Sequence, residues 1–597
     1  MRKRETEIGE IVSVNGSIVT VQLSDNVKSN MPVIDGIVYR IGQVGSFVKI
    51  PLGYVNLFGI VNQVGAAAIP QQFQDGSKIN YIDVNNKQWI NIVLVGEQYG
   101  MQFKRGVSQS PTTGDKVHLV TIKDLNIIYG GYNEDNSINV GNISISESLS
   151  AKIDLDKLVS RHCAILGSTG SGKSNAVGVI LNSIANKNFP NSRVLVIDPH
   201  GEYNSALSDK CNVYKIRANA TKGENELNIP FWALPFNELM SIFSGNLTDQ
   251  NREYIRTKIV EKKVQSASKN NINIEKELIN ADTPIPFSIK KLWFELDDFE
   301  RQTFDKRGDP TSMQLIKKGD AEKLLSNEYK PAGVGSSSPF LNNQAKGILS
   351  FLDSIRLKLK DSTYRFLFSP GEYTPDLEGT IENDISKLLF DWLGNKKPVT
   401  ILDLSGVPSE IMVSISGTLL KIIYEALFWG QDTIIGGKQQ PIFIVLEEAH
   451  NYLKAGEKSI ASRTVQTIAK EGRKYGVGLA LVTQRPSELD ETVLSQCGTI
   501  IALRMNNSKD RSHISGAMQD ELKMMVDLLS SLRTGEAIIS GEAVKIPSRI
   551  QFYKLVNAVK GREPKVSEQW RKNNKFTLEN YEKLLEFWRN QELKGDN

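Results

Sequence analysis

Residues 167–174, GSTGSGKS, have the pattern G-x-x-x-x-G-K-S, which is typical of a loop that binds nucleotide phosphates. The glycines let backbone N–H groups curve around phosphate oxygens without Cβ clashes, and the following helix adds its positive end. Lys173 is expected to reach the β- and γ-phosphates, and Ser174 to ligate Mg²⁺. The sequence therefore predicts a site for ATP and Mg²⁺ with these nucleotide-binding residues: Gly167, Ser168, Thr169, Gly170, Ser171, Gly172, Lys173, Ser174 and Asn175.

Two adjacent carboxylates, Glu447 and Glu448, follow the apolar run IFIVL. Ligands of open α/β sheets bind at the carboxyl ends of strands, so this pair is expected beside the phosphate loop. Glu447 is predicted to hold the Mg²⁺ shell, and Glu448 to polarise the attacking water as a general base. The alternative is a pair of ordinary surface acids. The first acid of such a pair is usually aspartate, so Glu447 departs from the common pattern.

Two more apolar runs end in polar side chains that could serve the same site. VLVIDPHGEY places Asp198, His200 and Glu202 after a strand. Asp198 is a candidate for supporting the metal or water network; alternatively it is a helix cap or turn carboxylate. LVTQRP places Gln484 at a strand end, where an amide can sense the γ-phosphate, and the alternative is an ordinary turn residue.

Arg473, in AKEGRKYG, ends a predicted helix just before the strand that leads to Gln484. An arginine there could enter a neighbouring subunit's site and stabilise the charge of the phosphate being transferred. The alternative is a helix-terminal cation that interacts favourably with the helix dipole. Arg161, just before the phosphate-loop strand, is a second candidate. A site completed by a neighbour's arginine predicts a closed ring of identical subunits.

A parallel sheet must bring these residues together. HCAILG, VLVID, TILDL, IFIVL, GLALVT and TIIAL are continuous apolar runs with polar residues at their ends, which is typical of strands covered on both faces. Together with the phosphate loop they predict an α/β fold, a RecA-like P-loop domain over residues 136–555. Between about residues 205 and 395 apolar runs typical of strands become rare, which indicates a largely helical insertion.

The two ends of the chain have different patterns. Residues 1–135 contain short alternating runs and an Asn15-Gly16 turn, which predicts a small all-β barrel. Residues 556–597 predict a helical tail with an apolar stripe that docks either on its own domain or on a neighbouring subunit; the stripe contains Leu578, Tyr581, Leu585 and Trp588.

The net charge is +4 over 597 residues, which by itself neither favours nor opposes nucleic-acid binding. A site for a polyanion must then come from a local basic cluster that an oligomer repeats around its axis. The DNA-contact candidates are Lys454, Lys458 and Arg463, with Lys509 and Arg511 as alternates. The alternative for each of them is a solvated surface charge.

The cysteines Cys163, Cys211 and Cys497 lack the spacing of a zinc site or a disulfide framework, which favours a reducing compartment. We find no apolar signal segment and no run of the roughly 20 apolar residues that a membrane helix needs. The expectation is a cytoplasmic protein without a membrane partner.

Four segments resemble HerA, of the HerA/FtsK superfamily of hexameric DNA translocases: RHCAILGSTGSGKS, VLVIDPHGEY, IFIVLEEAHNYL and EGRKYGVGLALVTQRPSELDETVLSQCGTIIALRM. The similarity spans about residues 155–555, and the amino-terminal strands resemble the HAS barrel of that family. The resemblance implies nucleotide and Mg²⁺ binding by Lys173 and Ser174, a catalytic base in Glu448, an arginine finger in Arg473, a sensor in Gln484 and a second trans-acting arginine in Arg161.

The resemblance also implies a function, because HerA proteins form rings around duplex DNA and power a partner enzyme. We expect an ATP-hydrolysing homo-hexamer that translocates on double-stranded DNA, with a separate nuclease or other effector docked on the barrel. The alternative is a ring that acts mainly as a scaffold and activator for a defence effector, a nuclease or a sirtuin-like NAD hydrolase. A weaker possibility is a protein or RNA substrate. The chain has no nuclease or NAD-binding signature of its own.

Overall fold

The computed structural model describes residues 6–24, 32–34, 37–39, 41–66, 88–186, 189–307, 309–334, 337–394, 396–517, 520–557, 566–572 and 577–590. The strands are β1 (Glu7–Asn15), β2 (Ile18–Leu23), β3 (Val33–Ile34), β4 (Ile37–Val38), β5 (Phe47–Leu52), β6 (Val55–Ala66), β7 (Gln88–Tyr99), β8 (Gln102–Arg105), β9 (Lys116–Leu119), β10 (Ser137–Ile143), β11 (Ser146–Asp154), β12 (Cys163–Leu166), β13 (Val194–Asp198), β14 (Cys211–Lys215), β15 (Glu224–Glu226), β16 (Thr303–Phe304), β17 (Leu315–Lys317), β18 (Glu328–Tyr329), β19 (Phe340–Leu341), β20 (Val399–Asp403), β21 (Ile442–Leu446), β22 (Val477–Thr483), β23 (Thr499–Leu503), β24 (Glu536–Gly541) and β25 (Ser548–Phe552).

The α-helices are α1 (Ile122–Gly130), α2 (Leu155–Ser160), α3 (Lys173–Asn186), α4 (Asn204–Leu207), α5 (Phe236–Ser241), α6 (Asp249–Lys269), α7 (Ile289–Arg301), α8 (Leu349–Lys360), α9 (Arg365–Phe368), α10 (Ile385–Leu393), α11 (Met412–Trp429), α12 (Ile460–Glu471), α13 (Glu491–Ser495), α14 (Ser508–Ala517), α15 (Val566–Trp570) and α16 (Leu578–Asn590).

The first part of the chain is a closed antiparallel barrel. Six strands pair in the order β2-β1-β9-β5-β6-β7, pairing of β2 with β7 closes the circle, and β8 adds to β7. The predicted hairpin joins β1 to β2: Asn15 pairs with Ile18, and Gly16 has φ +61°, in the left-handed region that glycine tolerates. Alternating apolar side chains such as Val21, Leu57 and Ile92 fill the interior. The predicted all-β barrel is confirmed.

The α/β part is built on a sheet of twelve strands in the order β11-β10-β25-β24-β23-β12-β22-β21-β13-β20-β14-β15. The strands from β23 to β15 are parallel, which confirms the predicted P-loop fold. Four antiparallel strands extend the sheet beyond β23. Alternate residues face two cores: Ile444 packs in the core that contains α11 and α12, and Val445 packs in the core that contains α3. All five residues of β21 are therefore buried.

The insertion between β15 and β20 is largely helical, as predicted, and α5–α10 pack around the buried indoles of Trp232, Trp293 and Trp392. Its predicted range, residues 205–395, also took in β14 and β15. In the structure β14 pairs with β20 and β15 pairs with β14, so the two strands form the edge of the main sheet. Short strands at an edge carry little apolar sequence, which explains why the pattern missed them.

One described helix, α11, has the length and the apolar composition of a membrane-spanning segment. Half of it is buried, and Ile415, Leu419 and Ile423 belong to the core beneath the main sheet. The apolar character of α11 is accounted for by this packing.

A buried ion pair joins β24 to β25. Arg549 donates from Nε and Nη2 to the two carboxylate oxygens of Glu536, each at 2.8 Å, and the Glu536 side chain is 0% exposed. Burial alone would raise the pKa of Glu536, but hydrogen bonds from Arg549, from the Arg533 backbone and from Ser144 together outweigh it and the pKa falls to about 2.

We expect Arg549→Met to lower the free energy of unfolding by about 3–5 kcal/mol, because a buried carboxylate loses the guanidinium that donates to both of its oxygens. Glu536 then keeps only weaker contacts, the backbone nitrogen of Arg533 at 3.0 Å and the Arg533 guanidinium at 3.6 Å among them. The pKa of Glu536 in the folded protein lies below the ordinary glutamate value of 4.5. The pair's contribution is therefore fully present above pH 4.5 and is lost as the pH falls towards 2. Urea unfolding at several pH values measures this: the two proteins should differ most at neutral pH and converge in acid.

The control is Lys583→Met, which removes an exposed pair with Glu579 and should leave the unfolding curve nearly unchanged. A loss for Arg549→Met that stays constant from neutral pH to pH 3 would contradict the assignment.

Candidate nucleotide site

The phosphate loop lies between β12 and α3, near the middle of the twelve-strand sheet. Gly170 and Gly172 have φ values of +73° and +97°, which side chains with a Cβ rarely adopt. A Cβ at Gly172 would also lie 2.8 Å from the backbone nitrogen of Gly535. The backbone nitrogen of Ser168 donates to the Arg504 carbonyl at 3.0 Å, which ties the loop to the end of β23. The loop is thus held in one shape by its neighbours.

Lys173 meets the two predicted glutamates. Its Nζ lies 3.6 Å from Oε1 of Glu447 and 3.5 Å from Oε1 of Glu448, and the three side chains are each less than a tenth exposed. The structure therefore brings together the P-loop lysine and the carboxylates from the end of β21. The alternative of two ordinary surface acids does not fit this burial.

Glu447 provides an oxygen that fits a metal ion. Tyr203 donates its hydroxyl to Oε1 at 3.0 Å, while Oε2 is buried and has no hydrogen-bond partner among the described residues. Burial raises the pKa of Glu447 to about 7, although Lys173 opposes this. This buried unpartnered oxygen and the hydroxyl of Ser174, which follows Lys173 at the start of α3, are oxygen ligands of the kind that Mg²⁺ prefers. When bound, such an ion would neutralise phosphate charge.

Glu448 has the geometry of a functional side chain under constraint. Its φ and ψ are +50° and +48°, left-handed values that are unfavourable for glutamate. Oε2 lies 3.2 Å from Nδ1 of His450, which is itself 2.9 Å from Oγ1 of Thr483. Burial alone would raise the pKa of Glu448, but His450 and Lys173 outweigh it and the pKa is lowered. Glu448 is therefore ionised at neutral pH and can accept a proton from water.

Asp198 is tied to its own turn. It is 0% exposed, and its carboxylate accepts hydrogen bonds from the backbone N–H groups of His200, Gly201, Glu202 and Tyr203. Burial raises its pKa to about 6, and the nearby Asp403 adds to this effect. This geometry matches the turn-carboxylate alternative. Asp198 is connected to the site through Tyr203, whose backbone nitrogen donates to Asp198 and whose hydroxyl donates to Glu447.

Gln484 lies beside the phosphate loop, directly after β22. Thr169 donates its hydroxyl to Oε1 of Gln484 at 2.6 Å, and the backbone nitrogen of Gly167 donates to the Thr483 carbonyl at 3.3 Å. The predicted sensor is thus connected to the loop through its own side chain and through the backbone of the preceding residue, Thr483.

The side-chain amide of Asn175, a predicted nucleotide-binding residue, is bonded to the segment that follows β25. Its Nδ2 donates to the Tyr553 carbonyl at 2.8 Å, and its Oδ1 accepts from the backbone nitrogen of Leu555 at 3.1 Å. The side chain therefore holds the segment after β25 against the start of α3. The amide cannot also reach into the loop while it makes both contacts.

The structure does not bring Arg473 and Arg161 to the phosphate loop of their own chain. Both precede their strands, β22 and β12, and so lie at the amino-terminal edge of the sheet, whereas the loop lies at the carboxyl edge. The seven residues of β22 span about 23 Å. Arg473 is exposed on the 3₁₀ helix Gly472–Tyr475, and Arg161 lies 3.2 Å from Glu542.

Two residues beside the loop were missed in the sequence. Arg504 Nη2 donates to the Gly170 carbonyl at 3.3 Å, and Thr534 Oγ1 donates to the same carbonyl at 3.5 Å. Arg504 directly follows β23, so the strand-end argument could have found it. Thr534 precedes an antiparallel strand, which no sequence pattern connects to the loop.

The basic candidates for DNA contacts lie on segments that follow the carboxyl ends of β21 and β23. Lys454, Lys458 and Arg463 are exposed, and so is the alternate Lys509. Arg511 is different, because its Nη1 donates to the Met505 and Asn506 carbonyls at 3.2 and 2.8 Å. Arg511 therefore stabilises its own backbone.

Two family descriptions match the chain: "Helicase HerA, central domain" over residues 138–423 and "Helicase HerA-like C-terminal" over residues 415–575. The DNA double-strand break repair helicase HerA of Pyrococcus furiosus is 28% identical over 460 residues, which cover 74% of this chain and 73% of the relative. The protein of the same name from Sulfolobus acidocaldarius is 26% identical over 464 residues, 77% of each chain. VirB4 of Thermoanaerobacter pseudethanolicus is a solved structure that aligns with a TM-score of 0.43 and 15% identity, over 71% of this chain and 98% of VirB4.

The two matched segments run together from residue 138 to residue 575 and contain the phosphate loop, the paired glutamates and Gln484. The resemblance seen in the sequence is thereby confirmed. The chain belongs to the HerA helicase family of P-loop ATPases.

Proposed function

We propose that this chain is an ATP-hydrolysing hexameric translocase or helicase on double-stranded DNA that powers or activates a separate effector enzyme. The observation that carries the proposal is the buried cluster of Lys173, Glu447 and Glu448, in which the lysine lies within 3.6 Å of both carboxylates. The relatives named as DNA double-strand break repair helicases support DNA as the substrate.

Within the site, each side chain has one task. Lys173 binds the β- and γ-phosphates, and Ser174 and Glu447 hold Mg²⁺. Glu448 accepts the proton of the attacking water, because it is ionised and lies 3.5 Å from the P-loop lysine, Lys173. Gln484 contacts the γ-phosphate. When this phosphate is lost, the change is transmitted to the phosphate loop through the hydrogen bond between Thr169 and Gln484.

Arg473, with Arg161, acts on the site of a neighbouring subunit, because neither can reach its own. The surface beside Arg473 supports this contact. Trp429, Ile434 and Ile435 are 81, 87 and 74% exposed, and they lie on the segment that enters β21 at the same edge of the sheet. Exposed apolar side chains in one place, an indole among them, are typical of a protein–protein interface.

Lys454, Lys458 and Arg463 contact the DNA backbone in this proposal. A ring repeats these exposed cations around its axis, so a chain of low net charge can present a collar of positive charge to phosphates. Contacts of this kind do not distinguish base sequences. The motor therefore tracks duplex DNA without sequence preference.

We assign the outer parts of the chain to assembly. The barrel within residues 1–135 receives the effector, residues 136–555 form the ATPase, and the tail within 556–597 docks on its own domain or on a neighbour. Leu578, Tyr581 and Trp588 of α16 are 74, 58 and 74% exposed, so this apolar stripe is available for docking. We place the assembly in the cytoplasm.

Duplex DNA should raise the rate of ATP hydrolysis severalfold, and the affinity for DNA should weaken by roughly 10³-fold between about 50 and 200 mM salt, because counterions compete for the phosphates. A variant with Lys454→Ala, Lys458→Ala and Arg463→Ala should show a shallower salt dependence and weaker stimulation. A coupled ATPase assay and a DNA-binding titration at several salt concentrations measure both effects.

The matched control is Lys323→Ala, which removes a 75% exposed lysine from the insertion and should change neither measurement. An ATPase rate that duplex DNA leaves unaltered at low salt would contradict the proposed function.

A further inference from the structure

His162 lies between the two arginines that we assign to the neighbouring site. It follows Arg161 directly and precedes β12. Its side chain is only 4% exposed, and its φ is +53°, in the left-handed region that histidine seldom adopts. Backbone strain of this kind persists only where the surroundings impose it, and it is concentrated at functional sites.

The imidazole of His162 contacts β22 on one side. The backbone nitrogen of Leu479 donates to Nδ1 at 3.0 Å. Burial lowers the pKa of His162 to about 4, so the ring is neutral, and its proton is on Nε2 because Nδ1 accepts. His162 thus fixes the start of β12 against β22 by a hydrogen bond that needs this tautomer.

On the other side, the ring packs against the segment that carries Arg473. A Cβ placed on Gly472 would lie 3.6 Å from Cε1 of His162 and only 2.6 Å from the Val477 carbonyl. Gly472 opens the 3₁₀ helix of Arg473, so the imidazole lies against the start of this short helix. Arg161, the residue before His162, is fixed at its backbone, because its carbonyl accepts from the Gly498 nitrogen at 2.7 Å just before β23.

We propose that His162 is a positioning residue that fixes Arg161 and Arg473 relative to each other, so that both enter the phosphate site of the neighbouring subunit together. The inference rests on the proposed function, in which these arginines act in trans. His162 does not serve the phosphate loop of its own chain, because the four residues of β12, about 13 Å of strand, separate the two.

The first test measures steady-state ATP hydrolysis by the full-length ring. His162→Asn keeps a residue that tolerates the left-handed backbone but removes the ring that contacts Gly472. It should lower kcat at least tenfold and leave KM for ATP within twofold, since each subunit's own loop binds the nucleotide. His162→Ala is the second variant and should show the same pattern. Ring mass and melting temperature, measured in parallel, should match the wild type for His162→Asn.

The second test mixes two inactive chains in one ring. A Lys173→Ala subunit has an intact arginine edge, and a His162→Asn subunit has an intact phosphate loop. In rings assembled from equal amounts, about a quarter of the interfaces join the two intact halves. The mixture should therefore regain ATP hydrolysis towards about a quarter of the wild-type rate. A purely structural role in its own subunit would give no such recovery.

A mixture of Arg473→Ala and Lys173→Ala chains separates the role of His162 from the action of Arg473 on the neighbouring site. If that mixture recovers activity and the His162→Asn mixture does not, the role of His162 is refuted and the trans arginine stands. If neither recovers, the trans arrangement fails and the inference fails with it. Wild-type kcat in both His162 variants would also overturn the inference.

Discussion

Glu448→Gln should lower kcat for ATP hydrolysis by about 10²–10⁴-fold, the usual contribution of a general base. The amide has nearly the same shape but cannot accept the proton of the attacking water. Nucleotide affinity should change little, because Lys173 and the phosphate loop remain. Single-turnover hydrolysis and titration with a fluorescent ATP analogue separate the two effects.

The matched control for Glu448→Gln is Glu457→Gln, a change of the same chemistry at an exposed position nine residues along the chain. It should keep the wild-type rate. If the Glu448→Gln variant still hydrolyses ATP at the wild-type rate, Glu448 is not the general base and another residue has this role.

The same Glu448→Gln variant separates a motor from a scaffold. If ATP turnover drives translocation that the effector needs, the variant ring should no longer stimulate a bound effector. If the ring mainly assembles and activates its partner, stimulation should persist while hydrolysis is lost. The measurement is effector activity in the reconstituted complex with wild-type and variant rings.

Arg473→Ala should reduce kcat by roughly 10³–10⁵-fold, the range measured for arginine fingers, with KM for ATP nearly unchanged. The loss is expected although Arg473 lies about 23 Å of strand away from the loop of its own chain. Lys474→Ala is the matched control, because it removes the next cation on the same 3₁₀ helix. Equal effects of the two changes would indicate a general charge effect rather than a finger.

Much of the site could be predicted because strand ends follow a local rule. The phosphate loop, Glu447, Glu448 and Gln484 each directly follow an apolar run, and parallel strands bring such positions to one edge. Lys173 meets both glutamates at that edge. The roles of the residues remain predictions, but their proximity could be expected from the pattern alone.

Other features depend on pairings between distant parts of the chain, which a local pattern does not contain. Thr534 approaches the loop only because β24 pairs antiparallel with β23. The strands β10 and β11 join the same sheet through β25, more than 400 positions away in the sequence. Asn175 turns away from the loop because its amide pairs with the backbone at Tyr553 and Leu555, a contact that only the folded chain creates.

The opposite placement of Arg473 and Lys173 on the sheet limits how copies of the chain can associate. In the proposed arrangement each copy supplies Arg473 from one edge of its sheet and accepts a neighbour's arginine at the other, so a dimer would complete one catalytic centre and leave two unmatched ends. An open assembly always has one complete catalytic centre fewer than it has copies. It grows into a filament unless the rotation between copies closes it into a ring. Turnover per copy should therefore rise with protein concentration until closure, when every copy becomes active.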